Sequence, residues 1–147
     1  MSNTLLRPTA RGFTLVEILI VVVILAILAA ITIPQFSSAM IESRENALRM
    51  NLHRIRQQLE VYRHQHNTYP SVENFAAQMT QYSNAEGETS STLSGSYPYG
   101  PYIQEIPPNP FTGGNTVSDQ PIGSSDWYFN PLTGEFRDNH AEKYQGY

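Results

Sequence analysis

The decisive stretch is Gly12-Phe13-Thr14-Leu15-Val16-Glu17, followed by an almost unbroken apolar run to Ile33. Between Phe13 and Ile33 the single charge is Glu17. As a helix, these 21 residues would reach roughly 32 Å, close to the thickness of a bilayer's hydrocarbon core. A lone carboxylate in such a segment is disfavoured by about 3 kcal/mol even on the gentler insertion scales, so it implies a role. The stretch therefore predicts a membrane anchor that does more than anchor.

Upstream, Arg7 and Arg11 make the leader positive, which keeps it cytoplasmic and directs the C-terminal part outward. An ordinary secretory signal also has a basic start and an apolar middle, but it ends in a small-residue A-x-A-like site. Ala29-Ala30-Ile31 breaks that pattern. A generic one-pass anchor explains the length and the arginines, yet neither Gly12 at the boundary nor Glu17 inside. The chain thus divides into a leader at 1–12, a transmembrane segment at 13–33 and an exported domain at 34–147.

The length of 147 residues leaves one small domain beyond the membrane segment. The formal net charge is −4, with nine Lys/Arg and thirteen Asp/Glu. Without Arg7 and Arg11, seven Lys/Arg face thirteen Asp/Glu, a balance of −6. An acidic exported surface with no basic cluster argues against nonspecific nucleic-acid binding. There is no cysteine, so no disulfide can staple the domain.

The helical pattern continues beyond the membrane segment. Pro34 removes a backbone donor, so a kink or local loosening is expected there. Past it, Ile41, Leu48, Leu52, Ile55, Leu59 and Tyr62 form one apolar stripe, with Arg44, Glu45, Arg49, Arg56, Glu60 and Arg63 largely off it. One long helix is predicted from about Phe13 to about His66, apolar all round in its first half and amphipathic in its second. Asn67-Thr68-Tyr69-Pro70 ends it, because the residue before a proline is pushed out of the helical region. Ser71 then caps a short second helix with Phe75, Met79 and Tyr82 on one face. From Ser83 to Gly100 the chain is rich in Ser, Thr, Gly and acids, including Glu86 and Glu88, and reads as a solvated loop. Tyr102 to Ile106 suggests a short extended segment, and Asn109-Pro110 and Thr112 to Asn115 are turn signals. Trp127 to Asn130, Pro131 to Gly134 and Glu135 to Arg137 read as a β-hairpin with a four-residue loop. Its aromatics are the expected partners of the helix stripe. The tail from Asp138 to Tyr147 is polar and carries no clear signal.

Arg11 to Glu17, with the apolar run behind them, resemble the class III signal of type IV pilins and type II secretion pseudopilins. Tyr69-Pro70 and the stretch Gly100 to Phe111 are similar to the corresponding parts of major pseudopilins, although Asn109 and Phe111 stand where that turn usually carries an acid and a tryptophan. The resemblance implies a pilin-like α+β fold: a long N-terminal α-helix, its apolar half in the membrane and its amphipathic half packed on a small antiparallel β-sheet. It implies that a prepilin peptidase cuts after Gly12 and N-methylates Phe13. Glu17 would then be the fifth residue of the mature chain, and its carboxylate would meet the terminal amine of another subunit during assembly. Many type IV pilins close a C-terminal loop with a disulfide, which this chain cannot do, and that favours a pseudopilin.

The function implied is a structural subunit of a type II secretion pseudopilus, a periplasmic filament that helps drive proteins across the outer membrane. Its implied partners are copies of itself, minor pseudopilins, the prepilin peptidase and an inner-membrane assembly platform. The alternatives are a type IV pilus pilin for adhesion, motility or DNA uptake, and a membrane-tethered binding domain that does not polymerise. Major pseudopilins commonly bind calcium through acids, a hydroxyl and carbonyls. Asp119 and Asp126, with Ser124 or Ser125 between, offer oxygens of that kind, with ordinary turn residues as the competing reading. His53, His64, His66 and His140 show no metal spacing. No nucleophile-base arrangement or phosphate loop can be placed, so no enzymatic activity is expected.

Overall fold

The computed structural model describes residues 12–147, apart from the side chains of residues 32–35. Arg7 and Arg11 of the leader, and the side chain of Pro34, lie outside the described residues; the backbone at Pro34 is helical, and α1 does not break there as expected. Helix α1 spans Leu15–His66. The chain forms two compact units, residues 1–41 and 42–147. In the first, every described side chain from Phe13 to Ile31 is exposed.

In the second unit the stripe behaves as its spacing predicts over Leu48, Leu52, Ile55, Leu59 and Tyr62, which are all buried. Ile41, expected on the same stripe, is instead exposed. It belongs to the first unit, whereas the core cluster lies in the second. α1 ends because Asn67 adopts a left-handed φ of 59°, a conformation that its short polar side chain tolerates. The stop therefore comes before the Pro70 restriction acts. Arg63, His64 and His66 in the last turn complement the negative end of the helix dipole.

Helix α2 spans Phe75–Thr80 and buries Phe75 and Met79. Ser71 is not its cap: the N-cap is Asn74, without a side-chain cap bond, and Ser71 Oγ accepts from Asn74 N at 3.2 Å one turn ahead. Tyr82 is not on α2; it opens β1 (Tyr82–Ser83), which pairs antiparallel with β2 (Thr89–Ser90) inside the expected loop. The second sheet has the order β3 (Val117–Ser118), β4 (Trp127–Phe129), β5 (Phe136–Asp138). The predicted hairpin is β4–β5, in antiparallel register Phe129↔Phe136. β3 runs parallel to β4, so this sheet is mixed rather than wholly antiparallel, with residues 119–126 looping back between the two strands. Tyr102 to Ile106 forms no strand; Ile103 and Ile106 are buried from irregular backbone.

The core joins the α1 stripe to Phe75, Met79, Ile103, Ile106, Trp127, Phe129, Phe136 and Tyr144. Phe75 lies 4.8 Å from Phe129 and 5.7 Å from Phe136, ring centre to ring centre. The tail is better ordered than its composition suggests. Tyr144 stacks on Phe111 at 4.4 Å, Lys143 Nζ reaches Glu45 at 2.9 Å, and Arg56 donates to Phe136 O and Tyr147 O at 2.9 and 2.6 Å.

The β4–β5 turn rests on Gly134. Its φ is +76°, and a Cβ there would run into the Tyr69 ring. Gly134→Ala is expected to lower stability by about 1–3 kcal/mol, from the positive φ and the collision together. Gly134→Asn, which tolerates the φ but not the collision, should fail to recover it. Thermal unfolding followed through Trp127 fluorescence checks both variants.

Candidate functional site

α1 begins at Leu15 because Thr14 and Glu17 cap it reciprocally. Glu17 N donates to Thr14 Oγ1 at 3.2 Å, and Thr14 N donates to Glu17 Oε2 at 3.4 Å. This is a capping box, in which two donors of the first turn are satisfied by side chains three residues apart. Gly12, Phe13, Thr14 and Glu17 line one shallow cleft at the helix start. Among the described residues no ion pair includes Glu17; its carboxylate is held by one long hydrogen bond and by the positive end of the helix dipole. Phe13 is 78% exposed. The structure thus brings Gly12, Phe13 and Glu17 together and adds Thr14, which the sequence analysis passed over although Thr-x-x-Glu is itself a start signal.

The apolar surface behind this cleft is the second element of the site. α1 contains a stretch long and apolar enough to cross a membrane, with none of it buried inside the protein. That exposure over all sides distinguishes it from the core helix of a compact domain.

The C-terminal candidates are engaged one by one. Asp126 accepts from Thr112 Oγ1 at 2.5 Å, Thr116 N at 2.9 Å and Thr116 Oγ1 at 2.6 Å. Burial raises its pKa, but these hydrogen bonds outweigh it and hold the carboxyl below its usual value. Asp119 Oδ1 accepts from Gln120 Nε2 at 2.7 Å, and Ser124 Oγ donates to Pro121 O. Among the described residues no hydrogen bond links any two of Asp119, Ser124 and Asp126. No group of three or more His, Cys, Asp or Glu able to hold a metal occurs among them either. Ser125, the other hydroxyl considered, spends its proton on Trp127 O at 2.9 Å. The oxygens inside the loop face an N–H donor, Asn139 Nδ2, at 3.4, 3.2 and 2.9 Å from Gln120 O, Pro121 O and Ser125 Oγ. That donor set does not suit a calcium ion, which requires oxygens on every side.

His66, unremarkable in the sequence, is buried in a polar pocket. Tyr62 stacks on it at 4.0 Å, and its Nε2 lies 2.9 Å from Tyr102 Oη and 3.2 Å from Ser83 Oγ. Tyr102 donates onward to Gln65 Oε1 at 2.6 Å. Burial depresses the His66 pKa, only partly opposed by the backbone oxygen of Ala85. His140, also without a partner in the sequence reading, stacks on Phe111 at 6.0 Å.

Residues 7–33 match the family described as the prokaryotic N-terminal methylation motif. The chain is 29% identical over 101 residues to type II secretion system core protein G of Klebsiella pneumoniae, covering 69% of each. It is 37% identical over 67 residues to the core protein G of Pseudomonas aeruginosa, 46% of this chain and 47% of that one. It is 48% identical over 46 residues to the type IV major pilin protein PilA of Myxococcus xanthus, 31% of this chain and 21% of that one. No solved structure matches.

The buried histidine is expected to give the unit from Glu42 onward a pH dependence. Because the folded pKa lies below the 6.5 of the free side chain, the unfolded chain binds the proton more readily. The contribution of neutral His66 is complete above 6.5 and is lost as pH falls towards the folded pKa. Melting temperature is expected to drop between about pH 7.5 and pH 5, and the drop should shrink in His66→Gln.

Proposed function

We propose that this chain, which belongs to the superfamily of type IV pilins and type II secretion pseudopilins, is a structural subunit that polymerises into the pseudopilus of a type II protein secretion system. The observation that carries this reading is the helix surface from Phe13 to Ile31, exposed on every side and headed by a matched methylation motif at residues 7–33. In lipid such a surface is satisfied by acyl chains. Once a subunit leaves the bilayer, the same surface must be covered, and the same segment of neighbouring subunits covers it. A contact of this kind repeats head to tail without closing and so builds a helical polymer.

Processing prepares the contact. A prepilin peptidase cuts after Gly12 and methylates Phe13, leaving a cationic amine at the start of the apolar helix. The Glu17 carboxylate of one subunit then pairs with the Phe13 amine of another and sets their axial register. In a membrane, partnered charges are strongly preferred to single ones, and the intramolecular bond from Thr14 at 3.4 Å is weak enough to be exchanged. Arg7 and Arg11 orient the chain with its N-terminus in the cytoplasm and its C-terminal domain in the periplasm. Copies of this chain, minor pseudopilins and an inner-membrane assembly platform are the further partners, and the role is structural rather than enzymatic.

A second reading, a type IV pilus pilin, is supported by the identity to the Myxococcus protein, which extends over 46 residues. The secretion proteins match over longer stretches, 101 residues for that of Klebsiella, and this favours the pseudopilus.

Mass spectrometry of mature protein from cells with the peptidase is expected to show a chain beginning at N-methylated Phe13. A chain that keeps Met1 and never forms multimers would overturn the reading. Glu17→Ala should still be cut and inserted, but filament yield should fall by at least about tenfold, since removing one partner of a buried charge pair costs about 2–5 kcal/mol. Immunoblotting of sheared filaments against total protein measures it, and a normal yield would remove the assembly role of Glu17.

A further inference from the structure

We propose that the Asn139 carboxamide does for the 119–126 loop what a bound divalent cation does in a metal-stapled loop, so that this domain closes without metal. The loop makes the crossing between the parallel strands β3 and β4, a connection that usually takes a dozen or more residues. So short a connection needs an internal tie. Asn139 follows β5 directly and is fully buried. Its main chain grips both sides of the loop: Gly123 N donates to Asn139 O at 2.7 Å, and Asn139 N donates to Asp126 O at 3.2 Å. Its side chain fills the middle, Nδ2 reaching Ser125 Oγ, Pro121 O and Gln120 O.

The direction of the amide is fixed by its neighbours. Carbonyl oxygens only accept. Ser125 has one proton and gives it to Trp127 O, so towards Ser118 Oγ at 2.8 Å and Asn139 at 2.9 Å it must accept. A flipped amide would set its oxygen against three acceptors. This orientation leaves Asn139 Oδ1 buried without a partner among the described residues, a recognised penalty. The loop's demand for a donor outweighs it. An N–H donor and a cation compete for the same oxygens, and here the donor is part of the chain. The two nearby acids are not needed for the tie: Asp126 is turned to Thr112 and Thr116, and Asp119 to Gln120.

The test uses the full chain in detergent, with unfolding read from Trp127, the sole tryptophan. Wild-type melting temperatures in EGTA and in about 10 mM calcium are expected to agree within about 1 °C, whereas a millimolar-class calcium site would separate them by several degrees. Asn139→Asp, which replaces the donor by a carboxylate, should melt several degrees lower than wild type in EGTA. A wild-type protein stabilised by calcium would overturn the proposal, and so would an Asn139→Asp variant as stable as wild type in EGTA. The wild-type comparison stands even if the variant does not fold, and neither measurement depends on filament formation.

Discussion

The unit from Glu42 onward depends on one seam, the packing of Leu48, Leu52, Ile55, Leu59 and Tyr62 against Phe75, Trp127, Phe129 and Phe136. Burying a Leu, Ile or Phe side chain contributes about 1.5–3 kcal/mol. Without cysteine, no covalent staple supplements it. The strands are too short to hold each other: β3 has two residues, β4 and β5 three each. A sheet of that size has little stability by itself and needs a helix to pack on. The amphipathic half of α1 is that support, and its length follows from the demand.

Where the ladders stop, buried polar side chains continue their work. Asn109 is fully buried and its Nδ2 donates both to Asp126 O at 2.8 Å and to Asp138 Oδ1 at 2.6 Å. Asp138, equally buried, accepts in addition from His140 N at 2.9 Å and Ala141 N at 3.1 Å. Asn139 ties the neighbouring loop. These residues form a hub between the β5 end, the 109–116 turns and the 119–126 loop. A buried carboxylate without a basic partner is tolerable only when its oxygens are bonded, and here they are. Asn109 meets Asp138 with a neutral N–H donor; a second carboxylate there would repel it.

Periodic segments were legible in the sequence. The buried part of the α1 stripe follows from a 3.6-residue repeat, and the β4–β5 hairpin from aromatics flanking Pro131 to Gly134. What escaped was set by distant partners. Val117 joins a sheet because Trp127 lies beside it, and no local pattern announces a two-residue parallel strand. The polar tail is ordered by Phe111, Arg56 and Glu45, contacts up to 98 residues apart in sequence. Ile41 has the right spacing but no surface to bury against, since periodicity gives a face and not a partner. His66 became notable only once Ser83 and Tyr102 were folded against it. The capping box was readable, Thr14 and Glu17 being three apart, but an acid in an apolar run draws attention to its charge rather than to its helix.

That box bears on how a membrane subunit can carry Glu17 at all. A carboxylate in hydrocarbon with no partner is driven towards protonation or towards water. Beside the first turn of α1 it has Thr14 N and the exposed amides of the helix start, equivalent to roughly half a positive charge. This lowers the cost of waiting in the bilayer without removing the advantage of a full cation. One neutral N–H at 3.4 Å is a weaker partner than an ammonium in the same low dielectric. In the assembly proposed above, a carboxylate so held can persist in a single subunit and still gain by exchanging its partner. On that proposal, stronger capping, for instance by a nearby lysine on the same helix, would stabilise the single subunit and weaken the drive to join. From Phe13 to Ile33 there is no basic side chain, so no cation on the same segment competes with the assembly contact proposed for Glu17.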